Sequence, residues 1–235
     1  MIKIFYAGVG EESATGLRDQ LRSMGQKASI RWQKDGLGEA KADLTELYVN
    51  WGAYTAREYS GAWLNHRIHS NKFKQLERLA AASVPVPKYM MGKPGQAGWY
   101  ARTFVHHDGK DLAQGLEIGD YYVKHIDPVK EYRVQVFKGE ILRASLKVPM
   151  NDQAKLPFRT GDHWGFGTKD HGGSLGEPGK AAIKAVEALG YDFGGVDLGI
   201  TKDGHPVVFE VNAAPWLLPG GDACRKYAAK IIEAL

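Results

Sequence analysis

The chain has 235 residues, 43% hydrophobic and 25% charged, enough for one large domain or a small domain joined to a larger one. No apolar run approaches the roughly 20 residues of a membrane span, Met1–Ala7 is too short for a signal peptide, and a lone cysteine, Cys224, excludes an intramolecular disulfide, so a cytoplasmic setting is expected. The net charge of +4 mildly favours an anionic ligand, while zinc-finger spacing, an RNA-binding signature and a dense basic run are all missing, so no specific nucleic-acid motif is read.

In chain order, Ile2–Ala7 reads as a strand entering Gly8-Val9-Gly10, and a helical segment over Thr15–Met24 closes at Gly25. Ala28–Trp32 and Leu47–Trp51 read as two further strands, so residues 1–55 make a compact α/β unit. The glycine turn lacks the third glycine of a dinucleotide fingerprint, because position 13 is Ser. Residues 56–70 are a polar, aromatic-rich connector. Asn71 is a natural N-cap for an amphipathic helix over Lys72–Ala82, with Phe73, Leu76, Leu79 and Ala80 on one stripe, and Val84-Pro85-Val86-Pro87 ends it.

From Trp99 the pattern is mostly β: Trp99–Val105, Tyr121–Ile126, Tyr132–Phe137 and Ile141–Val148, the last two joined at Lys138-Gly139-Glu140. Residues 149–180 are polar and Gly-rich, a loop length that implies function or mobility. A helix over Lys180–Leu189 closes at Gly190, and Asp222–Leu235 is a last helix.

Between those helices lies the most informative segment. Two strand-like runs, Gly194–Ile200 and Val207–Asn212, are joined through Asp203-Gly204, a strong hairpin signal. Asp197 interrupts Val196 and Leu198, while Glu210 and Asn212 sit two apart and so share a face. Three oxygen ligands converging from paired strands suit Mg²⁺, a hard cation usually completed by substrate phosphates. The plainer alternative is an acidic hairpin face turned to solvent, which the apolar run around each acid disfavours.

The order of motifs is specific: Asn71-Lys72 at a helix start, a strand bearing Arg102, a short strand, Glu131-Tyr132-Arg133-Val134, a hairpin, an Asp-bearing strand and Glu210-Val211-Asn212-Ala213-Ala214-Pro215. Over about residues 48–217 it resembles the ATP-grasp superfamily of carboxylate–amine ligases, in its smaller members typified by ribosomal-protein glutamate ligases and short phage-encoded forms. The resemblance implies an α/β (α+β) fold: two subdomains, about 71–124 and 125–235, grip ATP within a region 61–235. A reduced Rossmann-like unit over 1–60 precedes them.

It also implies roles. Asp197, Glu210 and Asn212 match the metal positions, which hold two Mg²⁺ (Mn²⁺ as a substitute) against the ATP triphosphate. Lys72 matches a phosphate-binding lysine, and as a first-turn cation it is otherwise set unfavourably against the helix dipole. Arg102 stands where most of the family carries a second phosphate lysine, a departure that bidentate arginine can absorb. Val123, Lys124 and His125 match the strand whose backbone pairs adenine. Glu131 matches a residue that orients Arg133 or meets the ribose. Arg133 and Lys147 fall over the transferred phosphoryl group, with an exposed hairpin face as the plainer reading. The segment His106–Asp111 resembles the loop that closes over the phosphates, and Arg159 is a lesser candidate for the carboxylate substrate.

Implied partners are small-molecule or peptide carboxylate and amine substrates, with no membrane and with a homodimer left open as a way to complete the acceptor pocket. Two alternatives stand beside the ligase reading. One is an ATP-grasp kinase of a small hydroxyl substrate, and the other a nucleotide-binding interaction module without turnover.

Overall fold

The computed structural model describes residues 1–32, 46–53, 61–66, 68–69, 71–105, 118–152, 154 and 163–235. The first sheet is parallel, in the order β2-β1-β3-β4, from β1 (Ile2–Tyr6), β2 (Ala28–Trp32), β3 (Leu47–Trp51) and β4 (Ala62–Leu64). A parallel sheet needs crossovers, and α1 (Glu11–Ser23) supplies the one between β1 and β2. It starts four residues before the apolar periodicity, because Gly8–Gly10 takes a 3₁₀ turn that runs directly into it. The strand β4 lies in the stretch read as connector. Three residues are too few to show alternation, and β4 carries the N-terminal sheet past residue 60.

The second sheet is antiparallel, in the order β5-β7-β6, from β5 (Tyr89–Met90), β6 (Trp99–Arg102) and β7 (Tyr121–Lys124). Against it lies α2 (Lys72–Ala81), whose Phe73 meets Tyr89, Phe104 and Tyr121 edge-on at 5.4–6.3 Å. The Asn71 cap is present: its side-chain oxygen accepts from the Lys74 N–H at 3.0 Å, and the Lys72 N–H donates to the Phe104 carbonyl at 2.8 Å. Asn71→Ala is expected to lower the unfolding free energy by about 1 kcal/mol, measured by urea denaturation.

The third sheet, β10-β9-β8-β11-β12, is antiparallel throughout: β8 (Lys130–Phe137), β9 (Glu140–Pro149), β10 (Trp164–Phe166), β11 (Phe193–Ile200) and β12 (Pro206–Asn212). Lys138 and Gly139, at φ 43° and 78°, form the two-residue turn between β8 and β9, and a turn with both residues left-handed matches the strand twist there. The strand β10 and an earlier start for α3 (Glu177–Ala188), with a proline in its first turn, break up the long loop expected over 149–180.

One face of this sheet is apolar. Val134, Val136, Ala144, Val196, Leu198, Val208 and Val211 pack under Ala182, Ala185 and Val186 of α3. The last helix, α4 (Asp222–Glu233), fills the space between the units. Its Tyr227, Ala228 and Ile231 share a core with Leu17 and Leu21 of α1 and with Trp51, Phe137 and Phe193. Trp51 stacks on Phe193 at 5.1 Å and meets Tyr227 edge-on at 5.5 Å.

Candidate active site

The acids that interrupt apolar runs belong to the other face of the third sheet. Alternation sends Val196 and Leu198 to the α3 side and Asp197 to the opposite side. Register then assembles one polar row: Lys147 lies beside Glu131, Ser145 opposite Arg133, Arg133 opposite Asp197, and Asp197 opposite Glu210, with Asn212 opposite Gly195. A bulge between Asp197 and Leu198 sets Phe209 outside the pairing and keeps Asp197 level with Glu210. Gly195 leaves room for Pro215, which would lie 2.8 Å from a Cβ at that position.

These side chains form a charge network of five residues and, beside it, one further ion pair. Arg133 donates from Nε and Nη2 to the two oxygens of Asp197 at 2.7 and 2.6 Å, a bidentate pair. The Asn212 amide donates to Glu210 Oε1 at 2.9 Å and to Asp197 Oδ2 at 3.3 Å. From α2, Lys72 Nζ reaches Glu210 Oε2 at 3.4 Å and Asn212 Oδ1 at 3.3 Å. Lys147 Nζ donates to Glu131 Oε1 at 2.8 Å. The six charged side chains keep only 12–25% of their surface, so solvent screens them weakly and each charge needs its partner.

The Glu131 carboxylate accepts from Lys147, and Asp197 grips Arg133 with both oxygens. Beneath the row, Tyr227 donates to Gln135 Oε1 at 3.0 Å, and burial pushes its phenol far above the ordinary range, so it stays protonated.

The remaining candidates lie in the second sheet. Arg102 is half-buried on β6, its carbonyl accepting the Asp120 N–H at 2.9 Å, and Gly119 packs so closely that a Cβ would come within 2.7 Å of the Arg102 backbone. Two residues on, Phe104 holds the backbone of Lys72, so β6 and the start of α2 are fixed together. Val123, on β7, pairs Tyr89 on one side and Tyr100 on the other. The Lys124 and His125 N–H groups donate to the Lys88 and Gly98 carbonyls at 2.8 and 2.9 Å. The Lys124 ammonium lies 5.7 Å from the Trp99 ring centroid and 3.2 Å from the Ala97 carbonyl, and the His125 ring meets Tyr100 edge-on. The expected backbone contact to adenine therefore falls on a strand whose N–H groups at 124 and 125 already serve the sheet. His106–Asp111 and Arg159 lie outside the described residues.

One participant escaped the sequence reading. Phe166 of β10 lies under the Arg133 guanidinium, 4.5 Å from Cζ to the ring centroid. The signal was its spacing from Trp164, two aromatics two apart within a Gly-rich stretch.

Among the described residues, no group of three or more His, Cys, Asp and Glu side chains is placed to hold a metal ion. The set here is two carboxylates and an amide, which suits a hard cation completed by phosphate oxygens better than one held in an all-protein cage. Arg133 and Lys72 stand against the same oxygens that a divalent cation would take, so the site is already built to neutralise them with positive charge. The residues fit Mg²⁺.

No protein-family model and no curated protein matches the chain. Solved structures do. The ligase PsnB complexed with its minimal precursor is similar at a TM-score of 0.69 and 13% identity, over 100% of this chain and 99% of that one. The macrocyclase MdnC from Microcystis aeruginosa MRC, bound with precursor peptide MdnA, gives 0.65 and 13%, over 100% of both chains. D-alanine–D-alanine ligase from Bacillus anthracis gives 0.65 and 17%, over 99% of this chain and 96% of that one. PsnB has also been seen with Mg and ADP.

Proposed function

We infer, from an ATP-grasp fold that runs the length of the chain, that this protein is an ATP- and Mg²⁺-dependent carboxylate–amine ligase. The observation that carries the reading is the paired charge row, in which Lys72 from one sheet's helix meets Glu210 and Asn212 on the edge of another. Cations and hard oxygen ligands interleaved across such a junction are what a metal-bound triphosphate requires.

In this reading Asp197, Glu210 and Asn212 hold two Mg²⁺, and Mn²⁺ can replace them. Lys72 and Arg102 hold phosphate oxygens, Val123 to His125 border the base, and Glu131 keeps Lys147 in place. When bound, the metal offsets the triphosphate charge and draws electrons from the transferred group. A substrate carboxylate attacks the γ-phosphorus, giving an acylphosphate and ADP. An amine then attacks the acyl carbon and phosphate leaves. Arg133 and Lys147 offset the charge that develops on the phosphoryl oxygens, and positioning of this kind carries most of such reactions.

The substrate class we propose is an amino acid, a peptide or a protein tail. Peptide precursors are bound by PsnB and MdnC, and D-alanine is named as the unit ligated by the third neighbour. Residues 61–235 do the gripping, with subdomains meeting near 124, and the N-terminal sheet borders them.

The deciding measurement is Mg²⁺-dependent ADP release from pools of amino acids and peptides, with hydroxylamine added to trap the acylphosphate. The expected result is release that rises only when carboxylate and amine are both present, together with an acyl hydroxamate. A stable phosphorylated hydroxyl product would make the protein a kinase. ATP binding with no product from any pool would make it an interaction module.

A further inference from the structure

The Asp197 contacts and the Phe166 contact restrain Arg133 in different ways. Both hydrogen bonds to Asp197 leave from one edge of the guanidinium, from Nε and Nη2, whereas its carbon Cζ lies over the Phe166 ring, 4.5 Å from the centroid. Phe166 stands directly opposite Lys147 on β9, and Arg133 stands on β8 beyond it, so the ring reaches across the β9 row to a cation two strands away. If Asp197 turns to a metal ion, the edge restraint goes. The ring contact stays, because attraction to the ring quadrupole competes neither with a carboxylate nor with phosphate oxygens at the guanidinium edge.

We propose that Phe166 is a positioning residue that acts through Arg133: its ring holds the guanidinium plane while the donor edge passes from Asp197 to the phosphoryl oxygens. This rests on the Mg-ATP reading above and adds a residue to it. The face of the ring matters, and its bulk does not, so Leu and Tyr at position 166 have opposite consequences.

The test has two arms. In ligand-free protein, the Arg133 Nε–H resonance, identified by its loss in Arg133→Lys, is expected upfield in wild type and in Phe166→Tyr, and to lose that ring-current shift in Phe166→Leu. In calorimetric titration with Mg²⁺ and AMP-PNP, Phe166→Leu is expected to bind about three- to thirtyfold more weakly than wild type. Phe166→Tyr should fall within about twofold of wild type, since a phenol keeps the aromatic face. In an Arg133→Gln background, Phe166→Leu should cause no further loss. An equal loss in that background, or in Phe166→Tyr, would assign the ring a packing role and overturn the proposal. So would wild-type binding by Phe166→Leu. If wild type itself binds no Mg²⁺–AMP-PNP, the ATP reading falls, and the proposed role falls with it whatever the resonance shows.

Discussion

Arg133→Met is expected to destabilise the ligand-free protein by about 3 kcal/mol in urea denaturation at neutral pH. Met keeps an unbranched side chain close to the length of the arginine stem, so the loss comes mainly from the guanidinium and its charge. Asp197 keeps only 13% of its side-chain surface, and without the guanidinium both oxygens lose their closest donors. Stranding one member of a buried pair costs more than the pair is worth, and the residual water contact places this case at the low end of the range. Two companion results distinguish this from simple misfolding. The double variant Arg133→Met with Asp197→Leu should recover most of the loss, since neither charge is then unpaired. Mg²⁺ alone should raise the melting temperature of Arg133→Met more than that of wild type, because in wild type the ion has to displace Arg133 from Asp197. A single variant that melts like wild type would show that Asp197 is solvated without Arg133, and the pair would lose its structural meaning.

The parts of this site that were legible in the sequence are those encoded locally. Spacing of two puts Glu210 and Asn212 on one face, Asn71 announces the start of α2, and Lys138-Gly139 marks the turn that fixes the register of β8 against β9. The partners of each charge were not legible, because they depend on strand order. Arg133 and Asp197 lie 64 residues apart and meet only because β8 pairs with β11, and Lys72 lies 140 residues from Asn212. The Glu-x-Arg spacing puts Glu131 and Arg133 on one face and leaves open whether Glu131 orients Arg133 or meets the ribose; the lysine that pairs Glu131 from β9, across the hairpin, is not legible from that spacing. Three strands were missed for a different reason. β4 and β10 have three residues each and β5 has two, too few for alternation to register, and each lies at the edge of its sheet. The four residues missed at the start of α1, Glu11 to Ala14, carry no apolar side chain larger than alanine, so periodicity does not register before Thr15 although the 3₁₀ turn over Gly8–Gly10 runs straight into them.

Turnover is expected to fall most sharply in Glu210→Gln: at least about a hundredfold in Mg²⁺-dependent ADP release, with the Mg²⁺ requirement shifted upward. The substitution is nearly isosteric, and its effect on folding should be small. Glu210 Oε1 accepts from the Asn212 amide and Oε2 lies 3.4 Å from Lys72, and a carboxamide oxygen can still serve one of these donors. Lys72 also keeps Asn212 Oδ1 at 3.3 Å. What the variant removes is one of the two carboxylates in the proposed metal set, Asp197 and Glu210. A hard divalent ion bound by an amide and a single carboxylate has lost half of its protein charge, and charge count sets affinity at such sites. Glu210→Gln should therefore be folded and poorly active, whereas Arg133→Met should be both less stable and more responsive to Mg²⁺. The measurement is initial ADP release across a Mg²⁺ series, with the melting temperature of each variant alongside. Wild-type Mg²⁺ dependence in Glu210→Gln would remove Glu210 from the metal set, and Glu210 would then serve only to pair Lys72 and Asn212.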